Sequence, residues 1–191
     1  MTRPPGTGVL GVVQPRIPRQ SAGEQDDRRQ DGADLDDRFT AELASAVSGA
    51  RRRAVRDGDR HVDTAHLLHS LLESDADVRA VLGDGPRIAR LLGYLVQRSI
   101  GYGLRWQSAV EDSGAVPVVT GATGFSPLAE AAVDEARARA ARRGTGRACG
   151  VDLLAALVAD PQARAVEVLA RAAVEPGTVI AGVERYFEPA S

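Results

Sequence analysis

The sequence contains no lysine and no asparagine, only one cysteine, and aromatic side chains at 4% of its 191 positions. A single cysteine excludes an internal disulfide and is typical of a reducing compartment such as the cytoplasm. Because aromatics are scarce, the core must be built from alanine, valine and leucine, and alanine and leucine favour helices. All 24 basic residues are arginines, a bias that we attribute to GC-rich bacterial coding rather than to function.

Other absences exclude whole classes of protein. The formal net charge of −2 lacks the basic excess that is typical of nucleic-acid binders. No apolar run approaches the roughly 20 residues that span a bilayer, and the N-terminus lacks the apolar core of a secretory signal. The phosphate loop of ATPases requires a lysine, so that motif is missing. The sequence therefore predicts no nucleic-acid, membrane or ATP partner and a cytoplasmic location.

What is present is an internal repeat. Phe39-Thr40 returns 86 residues later as Phe125-Ser126, and the same shift aligns further residues without a gap. These include Ala46 with Ala132, Val47 with Val133, Arg51 with Arg137, Gly58 with Gly144, and Leu67, Leu68 and Leu71 with Leu153, Leu154 and Leu157. A fixed-period repeat indicates one supersecondary unit used more than once. Two such units can bury their apolar faces together and leave a binding groove on the pseudo-twofold axis.

The first copy has the pattern of four helices. Thr40 is a suitable N-cap for the first helix, and Gly58 is a suitable C-cap. Asp63 or Thr64 is expected to cap the second helix, which carries four leucines. Two shorter helices are expected around 78–82 and 86–100.

The second copy repeats this pattern. Ser126 is the expected N-cap, Pro127 suits the first helical position, and Gly144 is expected to end the first helix. After a second helix rich in leucine, the last two helices are expected near 163–172 and 176–187. Val179, Ile180 and Val183 are expected to be buried in the last one.

The expected fold is therefore all-α, with about eight helices in two pseudo-twofold repeats. We assign the first repeat to residues 36–100, a linker to 101–124 and the second repeat to 125–188, all in one globular domain. Residues 1–35 combine several prolines with a run of mixed charge, so we expect a disordered tail.

These motifs resemble a known family. The order Phe39-Thr40, Gly58 and then Val62-Asp63-Thr64-Ala65-His66-Leu67-Leu68 resembles the Clp N-terminal repeat. Phe125-Ser126-Pro127 resembles the Phe-Thr-Pro opening of that domain's second copy. The domain lies at the front of the ClpA/ClpC unfoldases of the Hsp100 class. The resemblance covers roughly residues 36–188 and implies a chaperone-related protein, expected here as a stand-alone domain without ATPase modules.

The resemblance implies protein binding rather than catalysis. In the family this domain receives substrates and adaptors, recognises phosphoarginine in ClpC-type members, and docks cyclic peptide antibiotics. The expected partner is therefore a Clp unfoldase, an adaptor, a substrate or a cyclic peptide, with no cofactor. The chain would then be a decoy or a regulator of Clp proteolysis. The alternative is a helical interaction scaffold that has diverged from the Clp system and serves a dedicated partner.

The resemblance places the binding residues at helix starts. They are Phe39, Thr40, Thr64, Ala65, Phe125, Ser126 and Val151. Thr40 and Ser126 match the residues that hold the phosphate of phosphoarginine at a helix N-terminus. Ala65 and Val151 stand where the family has the glutamate that pairs with the guanidinium, so we predict weak or lost phosphoarginine binding. The retained Phe125 predicts hydrophobic peptide binding.

Other reactive side chains give no enzymatic pattern. The histidines lack a carboxylate at the spacing of a zinc motif, so we predict no metal site and a structural role for His66. Cys149 is expected to be an inert thiol at a loop-to-helix junction. Glu111-Asp112 is expected to be solvated surface. The sequence has no evident nucleophile–base–orienter set, and we predict that the protein is not an enzyme.

Overall fold

The computed structural model describes residues 37–99, 111 and 124–189. Within these ranges the chain forms eight helices and two isolated parallel β-bridges, which confirms the all-α fold class. The predicted tail and nearly all of the predicted linker lie outside the described residues. The boundaries of the tail, the linker and the two repeats therefore stay predictions.

The first repeat has its four helices where the sequence predicts them. They are α1 (Ala41–Asp57), α2 (Thr64–Ser74), α3 (Ala76–Leu82) and α4 (Gly85–Ser99). The hydroxyl of Thr40 accepts the N–H of Leu43 and caps α1. Gly58 ends that helix in the left-handed region with φ of 76°, a conformation that glycine adopts without strain. Asp63, rather than Thr64, is the N-cap of α2.

The second repeat has the same order of helices. They are α5 (Pro127–Arg142), α6 (Gly150–Leu157), α7 (Arg164–Arg171) and α8 (Pro176–Phe187). Ser126 caps α5 by accepting the N–H of Ala129, and Pro127 occupies the first turn as predicted. On α8, Val179 and Val183 are buried, whereas Ile180 is only partly buried against the core.

One aliphatic core runs through both repeats. The largest fully buried side chains of the described residues are leucines, apart from Phe39. Helices α2 and α6 lie at the centre, and every residue of α6 is buried. The repeats also interlock, because α3 packs against α6 and α8 while α4 packs against α7. Each repeat therefore completes the core of the other.

Candidate functional site

Two short backbone pairings cross between the repeats. Phe39 pairs with Ala148, and Val62 pairs with Phe125, each as a parallel bridge. In the first pairing the N–H of Thr40 donates to the carbonyl of Ala148 at 2.9 Å. The residues before α1 and α5 are thus held by the loop that precedes the second helix of the other repeat.

Each of these phenylalanines also lies under an arginine of the other repeat. The guanidinium carbon of Arg51 is 5.3 Å from the ring centroid of Phe125, and that of Arg137 is 5.1 Å from the ring centroid of Phe39. Both distances suit cation–π contacts. The residue before each of α1 and α5 is thus contacted by an arginine that lies about three turns into the other helix. We call the surface formed by these two helices the α1/α5 face.

Glu111 is buried where α2 and α7 begin, so its prediction as solvated surface is wrong. Its Oε2 accepts the N–H of Thr64 and the hydroxyl of Ser126, both at 2.9 Å. Its Oε1 accepts the N–H of Arg164 at 2.7 Å and the hydroxyl of Thr64. A carboxylate can be buried here because helix starts present N–H groups without intrahelical partners.

A buried ion pair lies beside Glu111. The guanidinium of Arg164 donates to Oδ2 of Asp63 at 2.6 Å, which joins the second repeat to the N-cap of α2. Burial acts to raise the pKa of Asp63, but hydrogen bonds and charges from His66 and Arg164 outweigh it and lower that pKa. The Asp63 side chain therefore stays ionised in the interface between the repeats.

A cleft of about 370 Å³ opens next to this ion pair. Its wall includes Ala65, and charged side chains of α1 and α4, among them Arg53, Asp57 and Arg98, surround it. The cleft is thus predominantly polar, although the family's glutamate position contributes only a methyl group to it.

Two histidines one turn apart on α2 line the cleft and have opposite pKa shifts. Burial acts to lower the pKa of His66, but hydrogen bonds to Asp59 and Asp63 outweigh it and raise the pKa to about 9. Nε2 of His66 lies 3.1 Å from Asp59, and Nδ1 lies 2.7 Å from Oδ1 of Asp63. When the His66 ring is neutral, its Nδ1 instead accepts a hydrogen bond from the backbone N–H of Asp63, at 3.1 Å. Burial and the charge of Arg53 lower the pKa of His69 to about 4.

The second repeat builds the start of its second helix differently. Asp152 is buried, binds the guanidinium of Arg143 with both oxygens, and accepts the N–H of Cys149 at 3.0 Å. Burial raises the pKa of the Cys149 thiol, which agrees with the predicted inert thiol. A Cβ placed on Gly150 would lie 2.0 Å from Oδ2 of Asp75, so this helix start abuts the N-cap of α3.

The predicted binding residues fall into two groups. Thr40 and Phe125 are half-buried and reach the α1/α5 face. The remaining five, Phe39, Thr64, Ala65, Ser126 and Val151, are buried. Within that second group, Thr64 and Ser126 converge on Glu111. The assignment of all seven residues to ligand binding stays a prediction.

The sequence reasoning missed three contributors to these contacts. Arg51 could have been found, because the repeat aligns it with Arg137 just as it aligns Phe39 with Phe125. Glu111 and Arg164 carry no local signal. Among the described residues, no group of three or more side chains could hold a metal ion, and no helix has the length and apolarity to cross a membrane.

Comparisons with known proteins identify the fold. No family model and no curated protein matches the sequence. The crystal structure of the N-terminal domain of the caseinolytic protease associated chaperone ClpD from Arabidopsis thaliana is 22% identical, with a TM-score of 0.58 over 78% of this chain and 93% of that chain. A structure from preliminary structural investigations of a malarial protein secretion system is 17% identical, with a TM-score of 0.57 over 79% of this chain and 95% of that chain. The chain therefore has the fold of a Clp N-terminal domain.

Proposed function

We propose that this chain is a non-catalytic interaction module that binds a peptide segment of a partner protein on the α1/α5 face. The proposal is supported by the likeness of its fold to the ClpD N-terminal domain and by the arginine–phenylalanine contacts on that face. The role would be that of a decoy or regulator in Clp proteolysis. The partner would be an unfoldase, an adaptor, a substrate or a cyclic peptide.

The observation that carries the proposal is the position of Phe125. Its ring is only half-buried, whereas Phe39 at the related position is 2% exposed. The guanidinium of Arg51 lies over the Phe125 ring, and the half-buried residue keeps part of its surface open to a ligand. An apolar side chain of a peptide would pack against that ring and against the aliphatic stem of Arg51. We therefore expect the partner to contact the α1/α5 face at Phe125, next to the start of α5, and not at Phe39, next to the start of α1.

We infer that phosphoarginine is not the ligand. Ala65 and Val151 are apolar and buried, so neither offers a carboxylate to a guanidinium. The hydroxyl of Ser126 accepts the N–H of Ala129 at 3.2 Å and donates its one hydrogen to Glu111. It could donate to a phosphate only by releasing Glu111. The cytoplasmic location, the bacterial origin and the lack of nucleic-acid and ATP partners stay predictions.

The test is a capture experiment with immobilised protein, followed by titration of the purified partner. We expect Phe125→Ala to weaken binding about tenfold, a loss of about 1.4 kcal/mol, and Phe125→Leu to weaken it less. Val96→Ala is the matched control, because Val96 is 47% exposed on α4 and lies outside the α1/α5 face. Circular dichroism must show that the variants are folded. Equal binding by wild type and Phe125→Ala would overturn the proposal.

A second candidate is a diverged scaffold that serves a dedicated partner outside the Clp system. The diverged scaffold is favoured by Ala65 and Val151, because these buried apolar residues stand where the Clp family has the glutamates that bind phosphoarginine. The identity of the captured partner separates the two candidates, because only the first predicts a Clp component or a cyclic peptide. Both candidate functions include the inference that phosphoarginine is not the ligand. Micromolar binding of a labelled phosphoarginine peptide would contradict that inference.

A further inference from the structure

We propose that the junction of α2 and α7 is a carboxylate-binding site, and that the chain's own Glu111 occupies it as an intramolecular ligand. The site is buried between the repeats, whereas the proposed peptide contact is made at the half-buried Phe125 on the α1/α5 face. It therefore goes beyond the proposed function and can be tested without knowing the partner.

The donors match a carboxylate in number. Each oxygen of Glu111 accepts two hydrogen bonds, one from a backbone N–H and one from a hydroxyl. Four hydrogen bonds fill the acceptor capacity of a planar carboxylate. A tetrahedral phosphate would bring further oxygens, whereas these four donors converge on two oxygen positions. The geometry thus points to a two-oxygen planar ligand.

The donors are also held in place independently of Glu111. Thr64 Oγ1 accepts the N–H of Ala165 at 3.1 Å, which leaves its hydrogen directed at the carboxylate. Ser126 Oγ accepts the N–H of Ala129 at 3.2 Å while it donates to Glu111. The backbone N–H groups of Thr64 and Arg164 are fixed by their helices. Removing the Glu111 side chain would therefore leave a formed receptor rather than a collapsed one.

The local charge favours an anion. Two helix N-termini direct partial positive charge at the same point, and α2 and α7 have 11 and 8 residues. The carboxylate of Asp63, next to Thr64 in the chain, is matched by the guanidinium of Arg164 at 2.6 Å. Ser126, Thr64 and Arg164 are at most 6% exposed, so the donors are shielded from solvent while Glu111 occupies the site.

The experiment is chemical rescue of Glu111→Ala. Its melting temperature at pH 7 is measured by circular dichroism in acetate and in chloride of equal ionic strength. Four buried donors without an acceptor should lower the melting temperature by about 10 °C. If acetate binds with a dissociation constant of about 10 mM, 100 mM acetate should restore about 3–5 °C. Wild type should show no specific gain from acetate, because its site is already occupied.

Three further variants make the result specific. Glu130→Ala removes an exposed carboxylate from the first turn of α5. This variant should show neither the lower melting temperature of Glu111→Ala nor a specific stabilisation by acetate. Glu111→Gln still fills the site, so acetate should not stabilise it. Ser126→Ala added to Glu111→Ala removes one donor and should weaken the acetate rescue.

Each outcome decides the question. If Glu111→Ala does not fold in chloride, acetate must restore its helical signal. Identical behaviour of Glu111→Ala in acetate and chloride, folded or unfolded, would overturn the proposal. Rescue by phosphate equal to that by acetate would overturn the assignment to carboxylates.

Discussion

His66 and His69 differ in protonation although they are one turn apart. His66 lies between two carboxylates and has a pKa raised to about 9. His69 is buried near the guanidinium of Arg53, and its pKa is lowered to about 4. An unfolded histidine has a pKa of about 6.5. Each histidine therefore links folding to pH, but in opposite directions.

We predict that stability is greatest near pH 6.5. Above that pH the folded state keeps a proton on His66 that the unfolded state has lost, so stability falls as pH rises toward about 9. Below it the unfolded state gains a proton on His69 that the folded state refuses, so stability falls as pH drops toward about 4. Each effect is on the order of 3 kcal/mol when complete. Urea denaturation across this range measures both.

The variants separate the two histidines. His66→Gln should remove the loss of stability on the alkaline side, and His69→Gln should remove most of the loss on the acidic side. A wild-type free energy of unfolding that stays constant between pH 6.5 and pH 9 would show that His66 is not held protonated.

At the scale of helices, α6 and the N-cap of α3 approach each other closely at Gly150. A Cβ on Gly150 would lie 2.0 Å from Oδ2 and 2.9 Å from Cγ of Asp75. Asp75 cannot turn away freely, because its other oxygen accepts the N–H groups of Asp77 and Val78. A glycine at the start of α6 is therefore required by the packing of one repeat on the other.

We predict that Gly150→Ala lowers the free energy of unfolding by about 1–3 kcal/mol, as overpacking does in well-packed cores. Gly177→Ala is the matched control, because a Cβ there meets nothing within 4 Å and the helix start on α8 is exposed. Adding Asp75→Ala to Gly150→Ala should cost less than the sum of the two single changes. Equal melting temperatures for Gly150→Ala and Gly177→Ala would contradict the close contact.

The helices were predictable from sequence because their ends carry local signals. The caps at Thr40 and Gly58, and the serine–proline start at Ser126, depend on residues within one turn. The junction between the repeats was not predictable in this way. Glu111 is 47 residues from Thr64 and 53 residues from Arg164, and a carboxylate that meets two helix starts looks the same in sequence as one in solvent.

At the scale of the whole molecule, the sequence repeat predicted two all-α units of four helices each. It did not predict the contacts between the two units. The sequence predicts that Phe39 and Phe125 both bind a partner. The structure buries Phe39 and leaves Phe125 half-buried. Sequence symmetry thus predicted the architecture and overestimated the symmetry of the surface.

The interlocked packing predicts that both repeats unfold in a single transition. Arg164→Ala removes the 2.6 Å guanidinium partner of the buried Asp63 and leaves His66 as its remaining counter-charge, which should destabilise the protein by about 3 kcal/mol. Native-state hydrogen exchange should show the same loss of protection in α2 of the first repeat and α6 of the second, because neither core is complete alone. Arg142→Ala breaks an exposed pair with Glu135 and should cost less than about 1 kcal/mol. If Arg164→Ala loosened α6 while α2 kept its protection, the repeats would be independent folding units.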